Sequence, residues 1–148
     1  MKFLNLYRWI IGTKASFCRS FQDNDNLYAQ AETFWNNLEG SAFIFIMVFI
    51  VLGVAMTICY YKTFNDRPNR HYHPKYWIYF WIGTFALVLV VTLAAEYIAV
   101  EPKLDGSFIL EFKIALANAI YASVLYLFVS WLWCQFNWPT NAYRLIKF

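Results

Sequence analysis

Residues Ser41 to Tyr61 read SAFIFIMVFIVLGVAMTICYY, 21 positions without a formal charge. At 1.5 Å per residue a helix of this length covers about 31 Å, the thickness of a bilayer's hydrocarbon layer. Two further runs repeat the pattern. Tyr76 to Val100 (YWIYFWIGTFALVLVVTLAAEYIAV) carries one carboxylate, Glu96, close to its far end. Phe108 to Cys134 has an uncharged stretch from Ile114 onward, after Glu111 and Lys113. Each run is long enough to cross a membrane once, the second with some tilt.

The runs are rich in aromatic and β-branched residues that would also suit strands. A backbone in lipid must satisfy its amides internally, and three segments cannot close a barrel, so helices remain. Composition agrees: 61% of the residues are hydrophobic, 14% are charged and mean hydropathy is +0.42. A soluble domain carries about 25% charged residues to cover its surface. The expected fold is therefore an all-α integral membrane protein with crossings at 41–61, 76–100 and 108–134 inside a domain at 41–138, followed by a short tail at 139–148.

The flanks fit these limits. Tyr76, Trp77, Tyr79, Phe80 and Trp81 open the second run, and Trp131, Trp133 and Trp138 close the third, as expected of rings at headgroup level. Pro74 and Pro139 suit helix boundaries. Between the last two runs, Glu101-Pro-Lys-Leu-Asp-Gly-Ser107 supplies turn residues, with Asp105 or Ser107 as a cap, so a tight helical hairpin is expected.

Residues 1–40 differ in kind. Phe3, Tyr7, Ile10, Phe17 and Phe21 fall near one helical face, with Asn5, Arg8, Ser16 and Arg19 roughly opposite, the pattern of an amphipathic interfacial helix. After the polar break at 22–26, Leu27, Ala31, Phe34, Trp35 and Leu38 recur at helical spacing. Gly40 and Ser41 would let the chain bend into the first crossing. These short helices would either lie on lipid or dock onto a partner. The basic, apolar start is interrupted by Arg8 and lacks a small-residue cleavage pattern, so it is expected to be retained.

Orientation rests on Lys and Arg. Lys62, Arg67, Arg70, Lys75, Arg144 and Lys147 flank one side, against Lys103, Lys113 and, about twenty residues away, Arg19. The expectation is a cytoplasmic first loop and C-terminus with the N-terminus outside, in a bacterial inner membrane or alternatively a mitochondrial inner membrane. Counting Lys2, Arg8 and Lys14 as well makes the two sides equal. Arg67, Arg70 and Lys75 would touch anionic headgroups or an acidic partner surface.

Polar residues inside the crossings are the most informative. Glu96 and Asn118 fall at similar depth if the last two helices run antiparallel, and are expected to form an intramembrane polar pair joined by Thr92, with Lys113 one layer further out. The pair would be either a hairpin clasp or part of an ion or proton relay. Ala115, Ala119 and Ser123 recur every fourth residue, as Gly53 and Thr57 do in the first run, so these small side chains form an expected helix-packing face.

Catalytic signatures are not legible: the chain has no Walker sequence, GxSxG elbow, HExxH pair or dinucleotide fingerprint. Cys18, Cys59 and Cys134 are scattered, and His71 and His73 lack the further ligands a metal needs. No catalytic residue, cofactor, metal or nucleic-acid partner is expected; the expected partners are membrane lipids and other membrane subunits, in a hetero-oligomer or a homo-oligomer. The reading that follows is a small non-catalytic subunit that anchors or scaffolds a larger secretion, respiratory or transport assembly. The alternatives are a homo-oligomeric pore former or small transporter, and a membrane-embedded immunity or regulatory protein.

Overall fold

A computed structural model describes residues 3–22, 24–65, 74–104 and 106–136. A 3-10 turn, Phe3–Tyr7, leads into the short helices α1 (Arg8–Ile11) and α2 (Lys14–Arg19); the long helices α3 (Asp25–Ile58), α4 (Pro74–Ala99) and α5 (Phe108–Phe136) follow. Among the described residues every regular element is helical, and three helices are long and apolar enough to span a membrane. Arg67, Arg70, His71, His73, Asp105, Trp138, Pro139 and the tail lie outside the described residues.

α3 corrects one expectation. The helix runs unbroken through Gly40 and Ser41, so the segment at 27–38 and the first crossing are one element. Its 34 residues cover about 51 Å, some 20 Å more than a hydrocarbon core. The surplus matches its first fourteen or so residues, where Asp25, Glu32 and Asn36 stand among apolar positions. Neither Gly40 nor Ser41 removes a backbone donor, so a helix held by contacts on both sides of them passes through at a modest propensity cost.

The chain packs as two compact units that share the long helices. The first holds Met1–Val48 and Leu89–Asn118. Here the N-terminal segment is anchored on its own chain: Leu4, Tyr7, Ile11 and Cys18 are buried together with Ala31, Phe34, Trp35 and Leu38 of α3. The ring of Phe17 lies 5.7 Å from those of Phe34 and Trp35. The single interfacial helix expected over 3–21 is broken at Gly12, whose φ of +77° is left-handed and suits a residue without a Cβ. Thr13 then restarts the chain as α2 through a capping box with Ser16. Lys14 reaches α3, donating to Glu32 Oε1 at 2.6 Å and Asn36 Oδ1 at 3.1 Å. The Glu32 hydrogen bond holds the ammonium above its usual range, and burial pushes the Cys18 thiol up.

The second unit holds Phe49–Val88 and Ala119–Phe148. α3 ends there in a π-helical stretch, Cys59–Asn65, in which the adjacent Tyr60 and Tyr61 are both buried. Tyr61 stacks on Trp133 at 5.5 Å and its hydroxyl lies 3.6 Å from Cys134 Sγ. Tyr60 meets Phe80 at 5.3 Å. Part of the expected aromatic girdle is thus turned inward, because rings this large fill the space between helices as well as they fill a headgroup layer. Tyr79, at 61% exposure, still faces outward. Gly53 permits close approach: a Cβ there would sit 3.3 Å from Leu125 Cδ2 and 3.4 Å from the Ala122 carbonyl of α5.

Candidate functional site: a buried polar clasp

Asn118 is fully buried on α5 and gathers four segments of the first unit. Its amide nitrogen donates to the Phe45 carbonyl of α3 at 3.0 Å and to the Thr92 hydroxyl of α4 at 3.1 Å. Its oxygen accepts from the Tyr7 hydroxyl of the N-terminal turn at 2.7 Å. An asparagine amide offers two N–H donors and two acceptor sites, so three of its four bonding positions are filled. Its neighbours along α5, Ile114, Ala115 and Ala117, are fully buried as well.

Glu96 stands one turn beyond Thr92 on α4, and the expected pair does not form. The side chain is fully buried, yet neither carboxylate oxygen has a hydrogen-bond partner among the described residues. The reason is competition. Thr92, Phe45 and Tyr7 occupy Asn118, while Lys103 is drawn to the end of α4, where its ammonium donates to the carbonyls of Tyr97 at 2.6 Å and Val100 at 2.7 Å. A cation at a helix C-terminus meets the negative end of the dipole and carbonyls that lack helical partners, which favours this site. The same ammonium lies 4.5 Å over the Tyr97 ring. Glu111, nearly buried on α5, is 3.5 Å from the Ser107 hydroxyl. Lys113 does not join the clasp, being exposed on another face of α5.

The remaining polar side chains at membrane depth are mostly satisfied by their own helix. Thr57 donates to the Gly53 carbonyl at 2.8 Å and Thr84 to that of Phe80 at 2.7 Å. Ser123 is buried with its hydroxyl unbonded among the described residues. Of the expected packing face, Ala115 and Ala119 are fully buried, and Gly53 lies beside Ala122 and Leu125. Lys75 is exposed, 5.4 Å from the Tyr76 ring centre. Among the described residues no group of three or more His, Cys, Asp or Glu is placed to hold a metal.

No family model, curated protein or solved structure matches this chain. The chemistry of the clasp therefore rests on its own geometry. Tyr7 is the member that sequence reasoning missed: it was visible as one ring of an amphipathic face, but no local pattern says that its hydroxyl meets a residue 111 positions away.

The clasp is testable by a double-mutant cycle on thermal unfolding in mild detergent. Asn118→Leu leaves several buried groups without their partner and is expected to cost about 1–3 kcal/mol. Tyr7→Phe removes one bond and is expected to cost about 0.6–1 kcal/mol in wild type, near the range of hydrogen bonds in membrane proteins. In the Asn118→Leu background the Tyr7→Phe cost should vanish. An undiminished cost there would show that the bond contributes nothing.

Proposed function

We propose that this chain is a small non-catalytic transmembrane subunit that anchors or scaffolds a larger membrane assembly. The observation that carries the reading is the use made of buried polarity. Thr92 of α4 and Tyr7 of the N-terminal turn are each bonded to Asn118 of α5, and Asn118 also holds α3. Their hydrogen-bonding capacity goes into holding helices in one arrangement, whereas a conducting pathway needs such groups facing water. Large apolar side chains face outward along the helices, among them Phe43, Ile44, Val51, Ile82, Val90, Val124 and Phe128, each half-exposed or more. Such faces suit lipid or neighbouring subunits. In this reading α4 and α5 act as a tight hairpin, and the N-terminal segment serves as an interfacial collar. Affinity purification of the full chain in mild detergent should bring down defined membrane partners in fixed proportion. Recovery of a lone monodisperse monomer would count against the assembly role.

A second reading, a small transporter or pore former, draws on Glu96, since a carboxylate buried without a bonding partner is costly unless function requires it. Ion flux in liposomes carrying the wild type and Glu96→Gln separates the two readings. The subunit reading expects background flux from both proteins; flux that disappears with Glu96→Gln would favour the transporter.

We further propose a bacterial inner-membrane location with the loop after α3 and the C-terminus in the cytoplasm, on the excess of Lys62, Arg67, Arg70, Lys75, Arg144 and Lys147 over cations near the opposite ends. Asn69→Cys, in a background free of the native cysteines, should resist an impermeant thiol reagent in intact cells and react after lysis. Labelling before lysis would reverse the orientation.

A further inference from the structure

We propose that the groove between α2 and the start of α5 holds the headgroup of an anionic phospholipid, with Lys113 as its charged contact. The groove is an open recess of about 450 Å³ lined by Ser16, Phe17, Ser20, Ile109, Leu110 and Lys113, among others. All of these lie within the first unit.

Three properties of the groove select this ligand. The first is charge. Lys113 belongs to a helix apolar enough to span a membrane, and its ammonium has no hydrogen-bond or ion-pair partner among the described residues. A cation at that position needs an anion, and the nearest acidic side chain along α5, Glu111, is turned inward and lies against Ser107. The hydroxyls of Ser16 and Ser20 donate to the Thr13 and Phe17 carbonyls of their own segment, which leaves recognition of the charge to Lys113.

The second is depth. Lys113 is five residues past the first residue of α5, or about 7.5 Å along the axis. Each headgroup layer is about 5–7 Å thick, so in a helix that starts at the water boundary this position falls at the layer's inner edge, within a lysine stem's reach of the lipid phosphates. A flexible stem lets the ammonium reach outward while its methylenes lie along apolar neighbours.

The third is the division of the surface. Ile109, at 64% exposure, together with Phe17 and Leu110 offers acyl chains a wall beside the cation, while Ser16 and Ser20 lie on the α2 side. A soluble anion would leave that apolar wall in water, whereas a phospholipid covers both halves.

Native mass spectrometry of the full chain in mild detergent, offered phosphatidylglycerol or phosphatidylcholine, tests the site. One lysine at the bilayer surface discriminates an anionic lipid by about five-fold, so the wild type should retain phosphatidylglycerol about five-fold over phosphatidylcholine. Lys113→Gln should bring the ratio close to one, and Lys113→Arg should keep it. Ser20→Glu, at an exposed position on the facing wall, should also abolish the preference without touching the core, which covers the case in which Lys113→Gln fails to fold. Equal retention of the two lipids by the wild type overturns the proposal. So does an unchanged preference in both Lys113→Gln and Ser20→Glu, or full displacement of the lipid by soluble glycerol phosphate.

Discussion

A peptide group in hydrocarbon has no water to fall back on, and every amide left unpaired there costs several kcal/mol. The helices α3, α4 and α5 answer that demand along the backbone, and their side chains inherit the same constraint. Thr57 and Thr84 meet it locally by bonding one turn back in their own helix. Asn118 has more bonding capacity than its own helix can use, and satisfies it on three other segments at once. The clasp is thus a consequence of putting an amide where only protein can bond it, and it sets which faces of the helices meet in the first unit.

The surplus length of α3 belongs to the same logic. A helix of about 51 Å cannot be covered by a hydrocarbon layer of about 30 Å, so its first turns need another cover. The N-terminal segment supplies it, with Phe17 on Phe34 and Trp35, Lys14 on Glu32 and Asn36, and Tyr7 reaching down to Asn118. This cover and the clasp are one connected construction, in which apolar packing on the first turns of α3 ends in the hydrogen bond from Tyr7 to Asn118. Glu96 stands apart from it as a buried carboxylate whose natural partners are taken by stronger local claims, Asn118 by Thr92 and Tyr7, and Lys103 by the carbonyls that end α4.

The helical class, the three apolar segments and their approximate limits were legible in the residues, because length in lipid and backbone satisfaction depend on composition alone. The continuity of α3 through Gly40 and Ser41 was not, since a glycine and a serine permit a bend without demanding one; contacts on both sides of them decide. Aromatic rings at 76–81 and 131–133 were likewise visible at the flanks, yet a ring suits a headgroup layer and a helix interface about equally well. Only packing shows that Phe80 and Trp133 turn inward onto the buried Tyr60 and Tyr61 while Tyr79 stays out.

What the sequence determined by itself was which groups had to be satisfied: amides in three bilayer-length runs, and the polar side chains of Glu96 and Asn118 within them. What only the tertiary structure decided was by whom. Hydrogen-bond partners are set by distance in space, and a tyrosine near the N-terminus, a carbonyl at Phe45 and a hydroxyl at Thr92 come within 3.1 Å of one amide only after the helices have packed. The carboxylate one turn away, equally conspicuous in the sequence, is left without a bond by the same packing.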